Sequence, residues 1–163
     1  HEKEAEVLCD ASHTIVPFHG EGMNSGYEDC SELIRLLEKH NDDWSEVLPE
    51  FDRIRRPNAN AIADMALENY VTMRESVADP KFQLKKELGF ELEQRFPSRF
   101  VPRYSMVMFH LLPYAVTMER GVIQQAILSE LVEGISEIAE VDFAKARQRV
   151  TEQLPEVDLT RPY

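Results

Sequence analysis

Several things are scarce in this chain, and each scarcity closes a class of function. There are only two cysteines, Cys9 and Cys30, without CxxC spacing, so no disulfide framework is expected and a reducing cytoplasm is the expected compartment. The five histidines, His1, His13, His19, His40 and His110, are scattered without ligand spacing. No metal centre is expected. Positive charge is short: 18 Lys and Arg against 30 Asp and Glu leave a formal charge of −12, which repels a phosphate backbone instead of releasing its counterions. Nucleic acid is not an expected partner. The longest charge-free apolar run, Tyr104 to Met118, is shorter than a membrane span and contains His110 and Pro113. The opening residues, HEKEAEVLCD, have neither the charged start nor the apolar core of a signal peptide. A soluble protein with no membrane partner is expected.

Strands are scarce as well. Glu6-Val7-Leu8-Cys9 suits a buried strand ending at Asp10, and Thr14-Ile15-Val16 leads into Pro17. A lone strand leaves its ladder groups unpaired, and small sheets need three or more strands for independent stability. Its partners should therefore lie elsewhere, and the chain reads as a piece of a larger α/β protein.

What is present is helical pattern over one domain's length, with 43% hydrophobic residues to fill a core. From Met23, Cys30, Leu33, Ile34 and Leu37 recur at i, i+3, i+4, i+7, with Glu28, Asp29 and Glu32 near the start, where the helix dipole favours them; His40-Asn41-Asp42-Asp43 ends the pattern. Trp44, Val47, Leu48, Phe51 and Ile54 predict a second helix that Arg55-Arg56-Pro57 closes, with Pro49 as a kink or a first-turn residue. A third runs from Asn58 to Val77, with Ile62, Ala66, Asn69, Met73 and Val77 on one face. Further helices are expected from Pro80 to Phe96, along Ile123 to Ile138, and from Phe143 to Leu154. An irregular segment spans Pro97 to Pro113, and a tail follows from Pro155. The acids Glu130, Glu133, Glu137 and Glu140 read as solvated surface. The fold class is mainly α, with one or two strands followed by about six helices.

Glycine is the last scarcity: six in the chain, of which Gly20, Gly22 and Gly26 fall in PFHGEGMNSGYEDC, from Pro17 to Cys30. Gly20 and Gly22 permit backbone shapes and close approaches that a side chain blocks, and the free N–H groups of Gly22, Met23 and Asn24 point out of a helix start. Such a start receives negative charge. Asp10, at the carboxyl end of a strand, suits hydroxyl groups of a sugar-like chain. A cofactor carrying an anion and hydroxyls fits; a plain turn, with Asp10 as a cap, is the alternative.

The run LCDASHTIVPFHGEGMNSGYEDC resembles the GDAAH…P…GQGMN…EDC signature of the single-component, FAD-dependent aromatic hydroxylases. The blocks MALENYVTMRESV (Met65 to Val77) and RFVPRYSMVMF (Arg99 to Phe109), followed by LPYAVTM, are most similar to the kynurenine-hydroxylating branch of that family. The resemblance covers essentially the whole chain but only the family's C-terminal portion. It implies a fragment of a GR2-type FAD-binding fold, with 1–78 as the last segment of the FAD domain and 79–163 as a helical domain.

It also implies roles. Asp10 would meet the ribityl or pyrophosphate part of FAD, and the backbone at Gly20, Gly22, Met23 and Asn24 would face the flavin edge that becomes anionic on reduction. Pro17, Phe18 and His19 would wall the pocket, Asn69 and Tyr104 would bond the amino-acid end of kynurenine, and Met73 would add an apolar contact. No residue is assigned acid–base catalysis, because NADPH reduces the flavin and its C4a-hydroperoxide carries the oxygen. The family's GxGxxG and the arginine and tyrosine of its substrate sheet are absent from this chain, so the N-terminal remainder of the enzyme is an implied partner and the isolated chain is expected to be inactive. The polar end VTEQLPEVDLTRPY resembles the soluble bacterial type instead of the membrane-anchored eukaryotic one. Hydroxylation of another aromatic substrate, or a non-catalytic helical interaction module, are the competing expectations.

Two residues depart from the signature: Cys9 replaces glycine and Glu21 replaces glutamine. A carboxylate beside the flavin disfavours its reduced anion. In the FAD-loaded enzyme, Glu21→Gln is expected to raise the flavin reduction potential; an unchanged potential in a dye-equilibrated titration would show that Glu21 does not face the ring.

Overall fold

A computed structural model describes residues 14–17, 20–75, 79–110 and 112–159. Among them are six α-helices and no strand: α1 Gly22–Lys39, α2 Trp44–Glu75, α3 Pro80–Arg95, α4 Arg103–Phe109, α5 Tyr114–Leu131 and α6 Phe143–Gln153, with a 3-10 turn at Ile138–Glu140. The strand expected at Glu6–Cys9 lies outside the described residues, and Thr14–Val16 has no strand conformation. The chain divides into two compact units, His1–Val71 and Thr72–Tyr163.

In the first unit α1 turns into α2 through a tight corner. Asn41 and Asp42 take positive φ of 51° and 61°, a conformation that Asn and Asp tolerate better than other side-chain-bearing residues. Asp43 then accepts from the Ser45 backbone N–H at 3.0 Å and the Ser45 hydroxyl at 2.6 Å. Glu50 reaches back across the corner to Lys39 Nζ at 2.8 Å and His40 Nε2 at 2.7 Å, and these two partners hold its carboxyl down to about 2. Leu36, Val47 and Phe51 form the apolar contact behind them.

Two readings of this unit change. The second and third helices expected from the sequence are one helix, which runs through both Pro49 and Pro57. Proline interrupts an interior helix by removing a donor and crowding the carbonyl four residues back. Here Asn58 Nδ2 donates to the Ile54 carbonyl at 2.9 Å, supplying a side-chain bond beside the break. Half of the expected α1 stripe holds: Leu33 and Leu37 pack against the core of Leu36, Val47 and Phe51. Asp29 and Leu36 are buried, whereas Cys30 and Ile34 are exposed.

The second unit is built on α3, α5 and α6. Asp79 caps α3 by accepting from Lys81 N at 2.9 Å, with Pro80 at the first helical position. Asp142 caps α6 by accepting from Ala144 N and Lys145 N at 2.9 and 3.0 Å. Leu84, Leu88 and Leu92 of α3 meet Ile127, Leu128 and Leu131 of α5 and Ala146 and Val150 of α6. The apolar pattern expected to run as helix to Ile138 stops at Leu131, and the Glu137/Glu140 capping box closes the turn beyond. Glu130 is more than solvated surface: Lys145 Nζ and Arg149 Nη2 both reach its Oε1 at 2.9 Å.

The expected irregular segment from Pro97 contains α4, whose Met106 packs with Val101 and Leu112. The tail is docked, not free: Val157 and Leu159 cover that cluster, Val157 N donates to Ser98 O at 2.8 Å, and Arg99 Nη1 donates to Leu154 O at 2.8 Å. Removing the α6 cap by Asp142→Ala is expected to cost about 1 kcal/mol, the usual worth of an N-cap, read as a lower melting temperature by circular dichroism.

Candidate cofactor and substrate site

The α1 start is built from the glycine-bearing loop. Gly20 has φ +73°, which a side-chain-bearing residue adopts only with strain. Gly22 opens the helix, and a Cβ there would meet only Ile15 Cγ1 at 3.7 Å. That is ordinary contact, so no neighbour among the described residues demands glycine at this position.

Glu21 stands at the N-cap position, 3% exposed, and its Oε2 accepts from Asn24 Nδ2 at 3.1 Å. Its carboxyl group therefore lies at the positive end of the helix dipole. Ser25 N donates to Glu21 O at 2.8 Å, closing the first turn. The N–H groups before it have no acceptor within the helix, and Met23 and Asn24 are exposed. The buried Ser25 hydroxyl has no hydrogen-bond partner among the described residues.

Behind this turn lies a buried cation. Arg55 of α2, 7% exposed, donates from Nε to Asp29 Oδ1 at 2.7 Å, from Nη1 to Glu28 Oε2 at 2.9 Å and from Nη2 to the Ser25 carbonyl at 3.2 Å. Burial alone would lower its pKa, but the bonds to Asp29 and Glu28 outweigh that and raise it. By sequence pattern Arg55 only ends a helix, and Glu28 and Asp29 only complement the dipole. A signal was available. Val47, Phe51 and Arg55 stand at i, i+4, i+8, and Asp29, Leu33 and Leu36 at i, i+4, i+7, which puts an arginine and an aspartate on two apolar stripes.

The remaining expected residues divide as follows. Asp10, Phe18 and His19 lie outside the described residues, as does Cys9, and Pro17 is exposed in a turn. Asn69 is half-buried on α2, and Met73, one turn later, is 59% exposed. Tyr104 belongs to the second unit, at the start of α4, where it is 57% exposed and meets Phe109 edge to face at 6.2 Å. Leu67, Tyr70 and Val71 are also exposed on α2, so the helix end that carries Asn69 presents a largely apolar surface.

No family model matches the chain. Curated relatives do match along most of it. Kynurenine 3-monooxygenase of Myxococcus xanthus is 44% identical over 148 residues, 91% of this chain and 32% of the relative. The enzymes of that name from Stenotrophomonas maltophilia and Xanthomonas oryzae pv. oryzae are 44% and 42% identical, over 93% and 94% of this chain. The chain is similar to one part of these kynurenine 3-monooxygenases. It spans about a third of the length of these relatives.

The described residues are mainly helical, and none of their helices is long and apolar enough to cross a membrane. Among the same residues no cluster of His, Cys, Asp or Glu could hold a metal ion. Arg55→Ala leaves Asp29 buried without its cation and is expected to cost about 3–5 kcal/mol. Glu28→Gln, at a half-exposed partner, should cost about 1 kcal/mol or less. Urea denaturation followed by the fluorescence of Trp44, the chain's single tryptophan, measures both.

Proposed function

We propose that this chain is the C-terminal part of a flavoprotein monooxygenase that hydroxylates L-kynurenine to 3-hydroxykynurenine with NADPH and O2, working in the cytoplasm together with the N-terminal remainder of the enzyme. The observation that carries the reading is the similarity to kynurenine 3-monooxygenases over more than nine-tenths of the chain. Residues 1–78 would complete the FAD-binding domain and residues 79–163 would form the helical domain.

The described residues suit the cofactor. Gly22, Met23 and Asn24 offer backbone N–H groups at a helix start, Gly20 turns the loop without strain, and no side chain at position 22 blocks approach. These groups would hold FAD by the edge of its ring, with Asp10 on its polar chain. Bound there, FAD supplies the redox chemistry that moves one oxygen atom from O2 to an aromatic ring. The protein's share is electrostatic and steric. The α1 N-terminus favours negative charge on the ring edge, and Arg55 fixes that turn through the Ser25 carbonyl. Asn69 and Tyr104 would hold the amino-acid end of the substrate, and Pro17, Phe18, His19 and Met73 would keep water from the reacting atoms.

The test is to exchange this chain for the matching third of the Myxococcus xanthus enzyme. Expected are FAD binding, NADPH oxidation that depends on kynurenine, and formation of 3-hydroxykynurenine. Asn69→Ala in the same protein should raise KM for kynurenine roughly tenfold, the loss of one hydrogen bond to a charged group. An FAD-loaded chimaera whose NADPH oxidation ignores kynurenine would refute the proposal.

A further inference from the structure

Tyr104 stands on a helix too short to aim it. α4 has seven residues, about two turns, and so short a helix takes its direction from its surroundings more than from its own ladder. Pro102 precedes it with φ −53° and ψ 142°, and the proline ring holds that φ. The course of α4 therefore follows from where the Val101 carbonyl and the Arg103 stem are held.

Helix α5 holds both. Gln124, 3% exposed, donates from Nε2 to the Val101 carbonyl at 2.7 Å. A Cβ on Gly121 would lie 2.7 Å from Arg103 Cδ and 3.4 Å from its Cγ, so glycine is what lets the arginine stem lie across this helix. A mid-helix glycine weakens a helix, and α5 carries one where the stem crosses it. Arg103 Nη1 then reaches Met118 Sδ at 3.9 Å, and upstream Arg120 Nη2 donates to the Arg99 carbonyl at 2.6 Å. Arg120, Gly121 and Gln124, at i, i+1 and i+4, lie on one side of α5. At the far end of α4, Phe109 meets the Tyr104 ring edge to face at 6.2 Å, which limits how the phenol turns.

Resting on the reading of Tyr104 as a partner of the substrate's amino-acid end, we propose that Gln124 and Gly121 are positioning residues for substrate binding. Gln124 holds the Val101 carbonyl and Gly121 seats the Arg103 stem; together they fix where the Tyr104 hydroxyl stands, and neither needs to touch the substrate. A hydrogen bond weakens steeply once its distance and angle leave their optimum, so a small shift of α4 forfeits most of the contact. A contact to a part of the substrate that does not react is made equally in the ground and transition states. Its loss raises KM and leaves kcat nearly unchanged.

The test is a double-mutant cycle in the FAD-loaded chimaera with the Myxococcus xanthus enzyme. Tyr104→Phe should raise KM for kynurenine roughly tenfold, the loss of one hydrogen bond to a charged group. Gln124→Met keeps the length but has no donor, and Gly121→Ala pushes the Arg103 stem aside; each should raise KM roughly three- to tenfold, with kcat within about twofold. Combined with Tyr104→Phe, neither should raise KM further, because the hydroxyl they place is gone. Asp142→Ala, which weakens the cap of α6, should leave KM unchanged, since a general loss of stability does not move it. Circular dichroism and flavin absorbance show that each variant is folded and loaded; should one fail to load, the cycle of the other decides. An unchanged KM in a loaded Gln124→Met or Gly121→Ala variant, or an increase that adds fully to that of Tyr104→Phe, would overturn the inference and leave the role of Tyr104 intact. An unchanged KM in Tyr104→Phe would remove that role and the inference with it.

Discussion

The first unit depends on a cation held between two helices. Arg55 sits where the apolar stripe of α2 would otherwise carry a leucine, and its desolvation is tolerable only because three of its donors find acceptors on α1: two carboxylates and the Ser25 carbonyl. Those acceptors set the rotation of α1 about its own axis. With Asp29 drawn inward, Leu36 follows into the core and Cys30 and Ile34 turn outward. The aim of the first-turn N–H groups is then no longer adjustable, because the Ser25 carbonyl is held by the same guanidinium. At the far end of α1, Glu50 ties Lys39 and His40 to α2, so the helix is fixed at both ends.

The second unit obtains its order differently. Its core is aliphatic, and its polar fastenings are arginines that reach backbone carbonyls: Arg99 to Leu154 and Arg120 to Arg99. Such bonds hold irregular chain that has no helix ladder of its own. Arg95 also stacks over the Phe143 ring, 3.9 Å from its centroid, joining the end of α3 to the start of α6. The segment 96–102, a loop by pattern, becomes a rigid support for α4.

Much of this was legible in the sequence, for reasons that can be named. Aspartate before proline or before a helical pattern announced α3, and a glycine-bearing loop and an Asn-Asp corner bounded α1; both signals act within a few residues. The α2 helix was misdivided because a proline's local cost is readable, while the packing that outweighs it is not: Ile62, Met65 and Ala66 are fully buried beyond Pro57. The α1 stripe holds at Leu33 and Leu37 but not at Cys30 and Ile34, because an aspartate counts as polar until its partner, 26 residues away in sequence, is known. The residues expected around the cofactor rest on recurrence of a family motif, and only the turn from Gly20 to Asn24 has a local geometry that independently suits the role.

The docked tail has a consequence for how the protein is made. Arg99 finds its carbonyl partner 55 residues further along the chain, and the cluster under α4 is covered only when Val157 and Leu159 arrive. During synthesis, therefore, α3, α4 and α5 leave the ribosome with the Val101–Leu112 surface still bare. Contacts of such long sequence separation form late and leave apolar surface exposed meanwhile. The second unit can close over this cluster only once residues 154–159 are in place.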